Sequence, residues 1–527
     1  MKKTLTGVFS AVAIISGTVL GTSAIADENQ FTADTENAII LDFNSLSQLH
    51  SHLQQASDIT DNLYRYNQWF LDQMMQGISQ LYVEEVEIAE LERLALQGVE
   101  ELRSQSTNYT VDEFVEAALD GILQTLDPHS DYVTADEMRE MMDQSRGGFV
   151  GIGVRIEMDE QLSLLKVVEP IDNSPADDAG VIAGDLITHI NGESMQGKTI
   201  EDYTDRLRGR IGTDVDITIQ RQGVDDPVDI TITRSLIEAN SPVIYDAIDN
   251  IGYIRITSFN GLTTAKLHEA VEELQDEIGE SNVKGYVIDL RFNPGGLLPE
   301  AISVVDSFLN SGEIVATGDA SGENLQFVQA RNGDITNGAE IVVLVNGASA
   351  SASEIVAGAL QDHDRATVIG TQTFGKGSVQ SVIPLGNYFR GRGDGMRITT
   401  QLYYTPSGDT IQNQGVTPDI RTEFQGTVSD GRIGQSEADL AGVIANPNLV
   451  QDDHETVGSC DSSGAPIDVS SLDDRYVFEL RDGTFEPDYQ LLCAVEYILD
   501  NPQYTQINEI DEQEASSTPN APTPLAP

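Results

Sequence analysis

Between Gly347 and Gln380 the chain reads GASASASEIVAGALQDHDRATVIGTQTFGKGSVQ, with Ser349, Ser351 and Ser353 alternating with alanine and Lys376 held between Gly375 and Gly377. A serine hydroxyl can attack a carbonyl and form an acyl-enzyme, but only when a neighbouring base takes its proton. No histidine sits in an obvious catalytic context. Asp362 and His363 adjoin and invite a Ser–His–Asp reading, yet neighbours in a chain do not usually face each other, and a triad base must meet its orienting carboxylate in space. His363 is therefore expected at a helix end, and Asp362 in a structural pair with a cation such as Arg365. A plainer reading of the serines stands beside the chemical one. Ser351-Ala352-Ser353-Glu354 fits an S-x-x-E capping box ahead of IVAGAL, and Lys376 fits a solvated loop. Spacing alone leaves both open.

The flanking elements suit a nucleophile. EIVVLVNG is an apolar strand leading into the serines, Ser353 to Gln361 a helix, and ATVIG the next strand. A helix N-terminus presents unpaired N–H groups and partial positive charge. Upstream, NIGYIRITSF reads as a strand, TTAKLHEAVEELQDEI as a helix, and GYVIDLRF as a buried strand ending at Asn293-Pro294-Gly295-Gly296. Residues 236–424 thus form an alternating α/β region. GxSxG, GDSGG, HExxH and CxxC motifs are all absent, so no metal or cofactor is expected.

From Gly147 the apolar period is two. Strands GGFVGIGVRIEM and LSLLKVVEPI precede SPADDAGVIAGDLITHINGESM, then a helix, turn and strand in TIEDYTDRLRGRIGTDVDITIQRQG. Residues 147–235 resemble a PDZ domain, with Gly151-Ile152-Gly153-Val154 where that family has its carboxylate-binding loop. Glycines let successive N–H groups converge on an anion, and the adjoining strand edge can take an extended peptide as an added strand.

LDPHSDYVTADEM, the PDZ order, DLRFNPGG, GASASASEIVAGALQDHDRA and TFGKGSVQ occur in that sequence between about Leu46 and Glu423. Together they resemble the C-terminal processing peptidases, or tail-specific proteases. The resemblance implies a multidomain α+β protein: a helical N-terminal region, a PDZ domain inserted before an α/β (crotonase-like) serine peptidase core, and here an acidic C-terminal extension. It implies Ser351 as nucleophile, Lys376 as base and Gln380 as the residue that positions the lysine. Lysine serves as a base only when neutral, so burial by neighbours such as Phe374 and Val379 must lower its pKa from about 10.4 to about 7–8. A strand carrying both Lys376 and Gln380 would set them on one side, since i and i+4 share a face. The oxyanion would be met by the N–H of Ala352 and by Gly295 or Gly296, which the sequence does not separate. Expected partners are unfolded or loosely folded proteins with free C-termini, captured by the PDZ loop. The rivals are a non-catalytic PDZ scaffold that binds C-termini, and a PDZ-bearing trypsin-like protease whose GDSGG motif is missing.

The remaining regions frame this core. Residues 27–146 are rich in helix formers; in TVDEFVEAALDGILQTL, Thr110 and Glu113 make a capping box. His129 in the following Pro-His-Ser turn is expected to be structural. Residues 1–26 read as a signal peptide: Lys2 and Lys3, an apolar run from Gly7 to Gly21, and Ala24-Ile25-Ala26 as the cleavage site. A periplasmic location is expected, with membrane association only through an uncleaved signal and a homo-oligomer compatible with the sequence. The 527 residues carry 29 basic and 86 acidic side chains, a net charge of −57 that becomes −59 without Lys2 and Lys3. Such a surface repels nucleic acid. Residues 425–511 are acidic, contain a helix in DYQLLCAVEYILD, and hold Cys460 and Cys493, whose pairing two cysteines alone do not settle. Residues 512–527 form a Pro/Ser/Thr/Ala tail expected to be disordered. NYFRGRGDGMRITTQLYYTPSG reads as an insert-like loop.

Overall fold

The computed structural model describes residues 43–159, 162–238, 241–322, 324–331, 333–385, 393–422, 436–447, 456, 458–462, 476–479, 485–500 and 505–509. The expected signal peptide and the expected disordered tail lie outside them. The chain divides into two compact units, one of Arg139–Pro242 with Asn260–Leu262 and one holding the rest.

In the larger unit an eight-stranded sheet runs in the order Val243–Ile248, Ile251–Ile256, Gly285–Asp289, Glu340–Val345, Thr367–Gly370, Ile420–Arg421, Gly458–Ser462, Thr505–Glu509. Its two outermost pairings are antiparallel and the five between them parallel. Apolar runs such as IVVLV belong in strands covered on both faces, and the burial divides by alternation. Tyr286, Ile288, Ile341, Val343 and Val345 enter one core with the helices Thr263–Ile278, Leu298–Asp306 and Ala352–Asp362. Val287, Val342 and Leu344 enter another with Leu491, Cys493 and Val495 of the helix Tyr489–Leu499. A disulfide joins Cys460 of the sheet to Cys493 of that covering helix. The acidic C-terminal stretch therefore supplies the last two strands of the sheet and one of its covers.

A second sheet centres on the strand Gly395–Tyr404, which pairs with Ser378–Pro384, Asp131–Val133 and Glu313–Gly318. This strand lies within the segment expected to be an insert-like loop; residues 387–392 of that segment lie outside the described ones. Met396, Ile398, Leu402 and Tyr404 enter a core with Phe70, Leu91, Phe114 and Ile122 of the N-terminal helices, and that burial makes the segment a strand. The expected capping box is present: the Thr110 N–H donates to Glu113 Oε2 at 2.7 Å, and the Glu113 N–H to Thr110 Oγ1 at 3.2 Å.

Helices Ile88–Gln105 and Val111–Leu126 touch at paired glycines. A Cβ on Gly98 would stand 2.1 Å from the Ala117 carbonyl oxygen, and one on Gly121 2.7 Å from that of Leu94. Gly→Ala inside a helix normally gains up to ~1 kcal/mol, but here backbone would have to part from backbone. Gly98→Ala is expected to destabilise by about 1–3 kcal/mol, read as a lower urea midpoint; a midpoint at or above wild type would refute the close packing.

The smaller unit is a sheet ordered Val154–Asp159, Leu164–Pro170, Leu186–Ile190, Asp214–Gln220, Val228–Thr233, with helix Ile200–Leu207. Its core gathers Ile152, Leu165, Val215, Ile217, Tyr203 and Leu207. The buried Tyr203 hydroxyl is placed by the Ile187 and Met195 carbonyls at 3.1 and 3.0 Å, so its polar tip is satisfied.

Candidate active site

The strand Glu340–Val345 ends in a turn that delivers three serines to three environments. Ser349 is fully buried, its hydroxyl donating to the Leu290 carbonyl at 2.9 Å and accepting from the Asn346 N–H at 3.0 Å. Ser353 is equally buried and donates to the Asn293 carbonyl at 2.9 Å. Ser351 sits at the N-cap of helix Ala352–Asp362 with φ +54°, and its side chain makes no cap hydrogen bond. Left-handed backbone in a non-glycine residue is strained and marks sites where surroundings enforce geometry. Two of the three hydroxyls are thus committed to structure.

Glu354 is what holds Ser351. The Ser351 N–H donates to its Oε2 at 2.7 Å, as the S-x-x-E spacing predicts, and the same oxygen accepts from the Lys376 N–H at 3.0 Å. Its Oε1 accepts from Thr373 Oγ1 at 2.5 Å and the Gly375 N–H at 2.7 Å. Tyr403, on the central strand of the second sheet, completes the clasp: its hydroxyl lies 3.1 Å from the Ser351 carbonyl and hydrogen-bonds the Lys376 carbonyl. Two buried side chains therefore fix the backbone N–H and C=O of both residues. Burial pushes the Glu354 carboxyl up to about 7, against four hydrogen bonds that pull it down. Tyr403, in QLYYTPSG, carried no signal of this task in the sequence.

Lys376 is half-buried, and desolvation holds its ammonium below the ordinary lysine range. Glu437 opposes that shift, Arg397 adds to it, and Asp127 and Glu354 oppose it more weakly. Contrary to the expectation of a shared strand, Lys376 precedes the strand Ser378–Pro384, and the register shifts between Val379 and Gln380. The reason is local. Gly377 presses on the Gln412 backbone, where a Cβ would come within 2.6 Å. Gln380 donates to Ser378 Oγ at 3.0 Å and Thr399 Oγ1 at 3.2 Å and makes no hydrogen bond to Lys376. Neither do the Ser351 and Lys376 side chains share a hydrogen bond, a looseness common in catalytic groups before substrate binds.

The turn after Gly285–Asp289 lies against the serine. Gly295 has φ +103°, and a Cβ there would stand 3.0 Å from both Ser351 Cβ and the Ala352 nitrogen. Its N–H is committed to Asn293 Oδ1 at 2.9 Å. Gly296, at φ +149°, is wedged against the Phe259 carbonyl, 2.1 Å from where its Cβ would be. The Ala352 N–H opens the helix and is one of its orphan donors.

The histidines divide. His363 closes the helix with Nε2 2.6 Å from the Glu313 carbonyl oxygen. Asp362 accepts from the Ser407 N–H at 2.9 Å, while Arg365 pairs with Asp334 at 3.0 Å; the expected Asp362–Arg365 pair is not formed, because Arg365 is drawn to the buried carboxylate beside it. His129, expected to be merely structural, has Nε2 2.8 Å from the buried Glu437 carboxylate.

In the smaller unit Gly153 has φ +79°, and a Cβ there would meet that of Ser174 at 2.3 Å. The Ile152 carbonyl accepts from the Ala176 N–H at 2.8 Å and that of Gly153 from Ser174 Oγ at 2.9 Å. With carbonyls tied inward, the loop Gly151-Ile152-Gly153-Val154 leads into Val154–Asp159, an edge strand of its sheet.

An α/β core with a serine at a helix N-cap, and a small β-unit ahead of it in the chain, is the architecture of a PDZ-bearing serine peptidase. Residues 250–422 match peptidase family S41, and residues 166–221 match a PDZ domain. The chain is 48% identical over 325 residues to the carboxy-terminal-processing protease of Bartonella bacilliformis, covering 62% of this chain and 73% of that one. It is 35% identical over 316 residues to a probable CtpA-like serine protease of Staphylococcus saprophyticus, covering 59% and 61%. The solved photosystem II D1 C-terminal processing protease is 26% identical, covering 74% of this chain and all of that one at a TM-score of 0.41. The chain belongs to the carboxy-terminal-processing proteases of peptidase family S41 and is a serine-type peptidase.

Proposed function

We propose that the protein is an exported endopeptidase that reads free apolar C-terminal tails through its PDZ unit and cleaves by a Ser351–Lys376 dyad. The observation that carries this is the clasp: Glu354 and Tyr403 bind the backbones of both residues, while burial of Lys376 favours its neutral form. Neutral Lys376 takes the Ser351 proton as Oγ attacks the scissile carbonyl. The tetrahedral oxyanion is met by backbone N–H donors. Ala352 and Gly296 suit this role better than Gly295, whose N–H is already engaged. Lys376 returns the proton to the leaving amine, and water hydrolyses the acyl-enzyme. Gln380 acts through Ser378 and Thr399 to support the strand that follows Lys376. The PDZ loop takes the tail's carboxylate, and the open edge of Val154–Asp159 takes its backbone, raising the local concentration of that chain at the dyad. The signal-like N-terminus supports a periplasmic location.

A fluorophosphonate followed by peptide mass spectrometry tests the nucleophile: the adduct is expected on Ser351, and an adduct on Ser349 or Ser353 would overturn the assignment. For tail reading, amidating the C-terminus of an unfolded substrate is expected to lower kcat/KM about tenfold, the effect of one lost charged anchor worth ~1.4 kcal/mol. Equal rates for free and amidated tails would remove the PDZ role.

A further inference from the structure

Glu437 belongs to the acidic C-terminal stretch, yet it is built into the lysine loop. It is 1% exposed, and its N–H donates to the Phe374 carbonyl at 2.9 Å, two residues before Lys376. On the other side of the lysine, the Gly377 N–H donates to Gln412 Oε1 at 2.8 Å, and Gln412 Nε2 reaches Glu437 Oε1 at 3.3 Å. The carboxylate is thus tethered to both flanks of Lys376. Its close partner is His129, with Nε2 at 2.8 and 3.0 Å from the two oxygens. His129 comes from the turn after helix Val111–Leu126, fixed by its own N–H to Asp127 Oδ1 at 2.8 Å. Asp127 Oδ1 also accepts from Thr399 Oγ1 at 3.0 Å, the hydroxyl that receives Gln380. Segments 308 residues apart in the chain converge here, and the dyad chemistry above uses neither His129 nor Glu437.

We propose that His129 and Glu437 form a hydrogen-bonded pair that positions and charge-balances the lysine loop, setting the pH at which Lys376 gives up its proton. The inference rests on Lys376 being the general base. A buried carboxylate near an ammonium stabilises the ammonium strongly, since charges interact in a low-dielectric interior far more than in water. An uncompensated Glu437 would raise the pH at which Lys376 gives up its proton. The His129 imidazole at one hydrogen bond from that carboxylate draws on its charge and offsets part of its pull on the lysine. The other charges facing Lys376 are Arg397, Asp127 and Glu354. Arg397 is itself paired with Asp131 at 2.6 Å. Asp127 is held by Ser130 Oγ at 2.6 Å and Thr399, and Glu354 by its four donors, so the His129–Glu437 pair is the balance that two substitutions can tip in opposite directions.

The test is the pH dependence of kcat/KM for the full chain on an unfolded protein substrate, with urea midpoints to confirm folding. Glu437→Gln keeps the shape and removes the negative charge; the midpoint of the acid limb is expected to fall by about one pH unit, tenfold in rate on that limb. His129→Asn leaves the carboxylate uncompensated; the midpoint is expected to rise by a similar amount. Opposite shifts support the proposal, because loss of a purely structural contact would lower both rates without moving either midpoint. Two unmoved midpoints, or two that move the same way, overturn it, and either variant alone decides against it if its shift has the wrong sign. Lys376→Ala, run in parallel, separates the failures: a variant with wild-type rate sinks the base assignment itself, whereas an inactive one beside unmoved midpoints sinks only the role of the pair.

Discussion

Lys376→Ala is expected to lower kcat/KM for an unfolded substrate by about 10³–10⁴-fold, near the upper range of losing a general base. Ser351→Ala should do the same, and the double variant should be no worse than either single one, since residues acting as one unit are not additive. Lys376→Arg is expected to fail as fully as alanine, because a guanidinium stays protonated and cannot accept the serine proton. Stability should move the other way. Desolvation lowers the Lys376 pKa in the folded protein, so between that value and the ordinary lysine pKa the unfolded chain binds more protons. Stability of the wild type therefore rises with pH through that window and is lost on acidification through the folded pKa. Lys376→Met, which carries no charge, is expected to unfold at a higher urea concentration than wild type, with the gap widening as pH falls. A variant that is inactive and no more stable would mean that the lysine is not held at a cost.

Much of the architecture is legible in local pattern. The runs GYVIDLRF and EIVVLVNG are too continuously apolar for one-sided strands, and they do become two-faced strands of the main sheet. Thr110 and Glu113 announce a helix start, and S-x-x-E ahead of IVAGAL announces another. That second motif also shows where local reading stops. Glu354 does cap Ser351, but its other three donors come from residues 373–376, and nothing in a four-residue pattern predicts a partner that arrives from the loop beyond the next strand. Tyr403 and Glu437 are hidden for the same reason: each reaches the site through pairing between segments distant in sequence. The Lys376–Gln380 spacing misled because a strand period holds only where the strand is regular, and the register shift at Val379/Gln380 breaks it. Composition is silent on the C-terminal stretch, which is acidic yet places Cys460, Leu491 and Cys493 in a core.

Glu354→Gln is expected to lower kcat by about 10²-fold, the penalty of misplacing reacting groups by ~1 Å, although it removes no atom that touches substrate. All four of its contacts are donors to the carboxylate. A glutamine has one acceptor oxygen and one NH₂, so whichever way the amide turns, an NH₂ faces backbone N–H. If the oxygen serves the Ser351 and Lys376 side, Gly375 loses its acceptor; if it turns the other way, Ser351 and Lys376 lose theirs. Each buried donor left unpaired costs about 1–3 kcal/mol, so the loop must shift. Stability against pH gives an independent mark. Burial raises the Glu354 carboxyl from 4.5 to about 7, so between those values the folded protein binds more protons than the unfolded chain. Its contribution is present below about 4.5 and is lost as pH rises through about 7. Glu354→Gln is expected to abolish that loss, giving a flatter stability curve across the window on a lower baseline. Wild-type kcat in this variant would show that Ser351 and Lys376 find each other without the shared carboxylate. An unchanged slope would show instead that Glu354 stays ionised in the fold, with its four donors outweighing its burial.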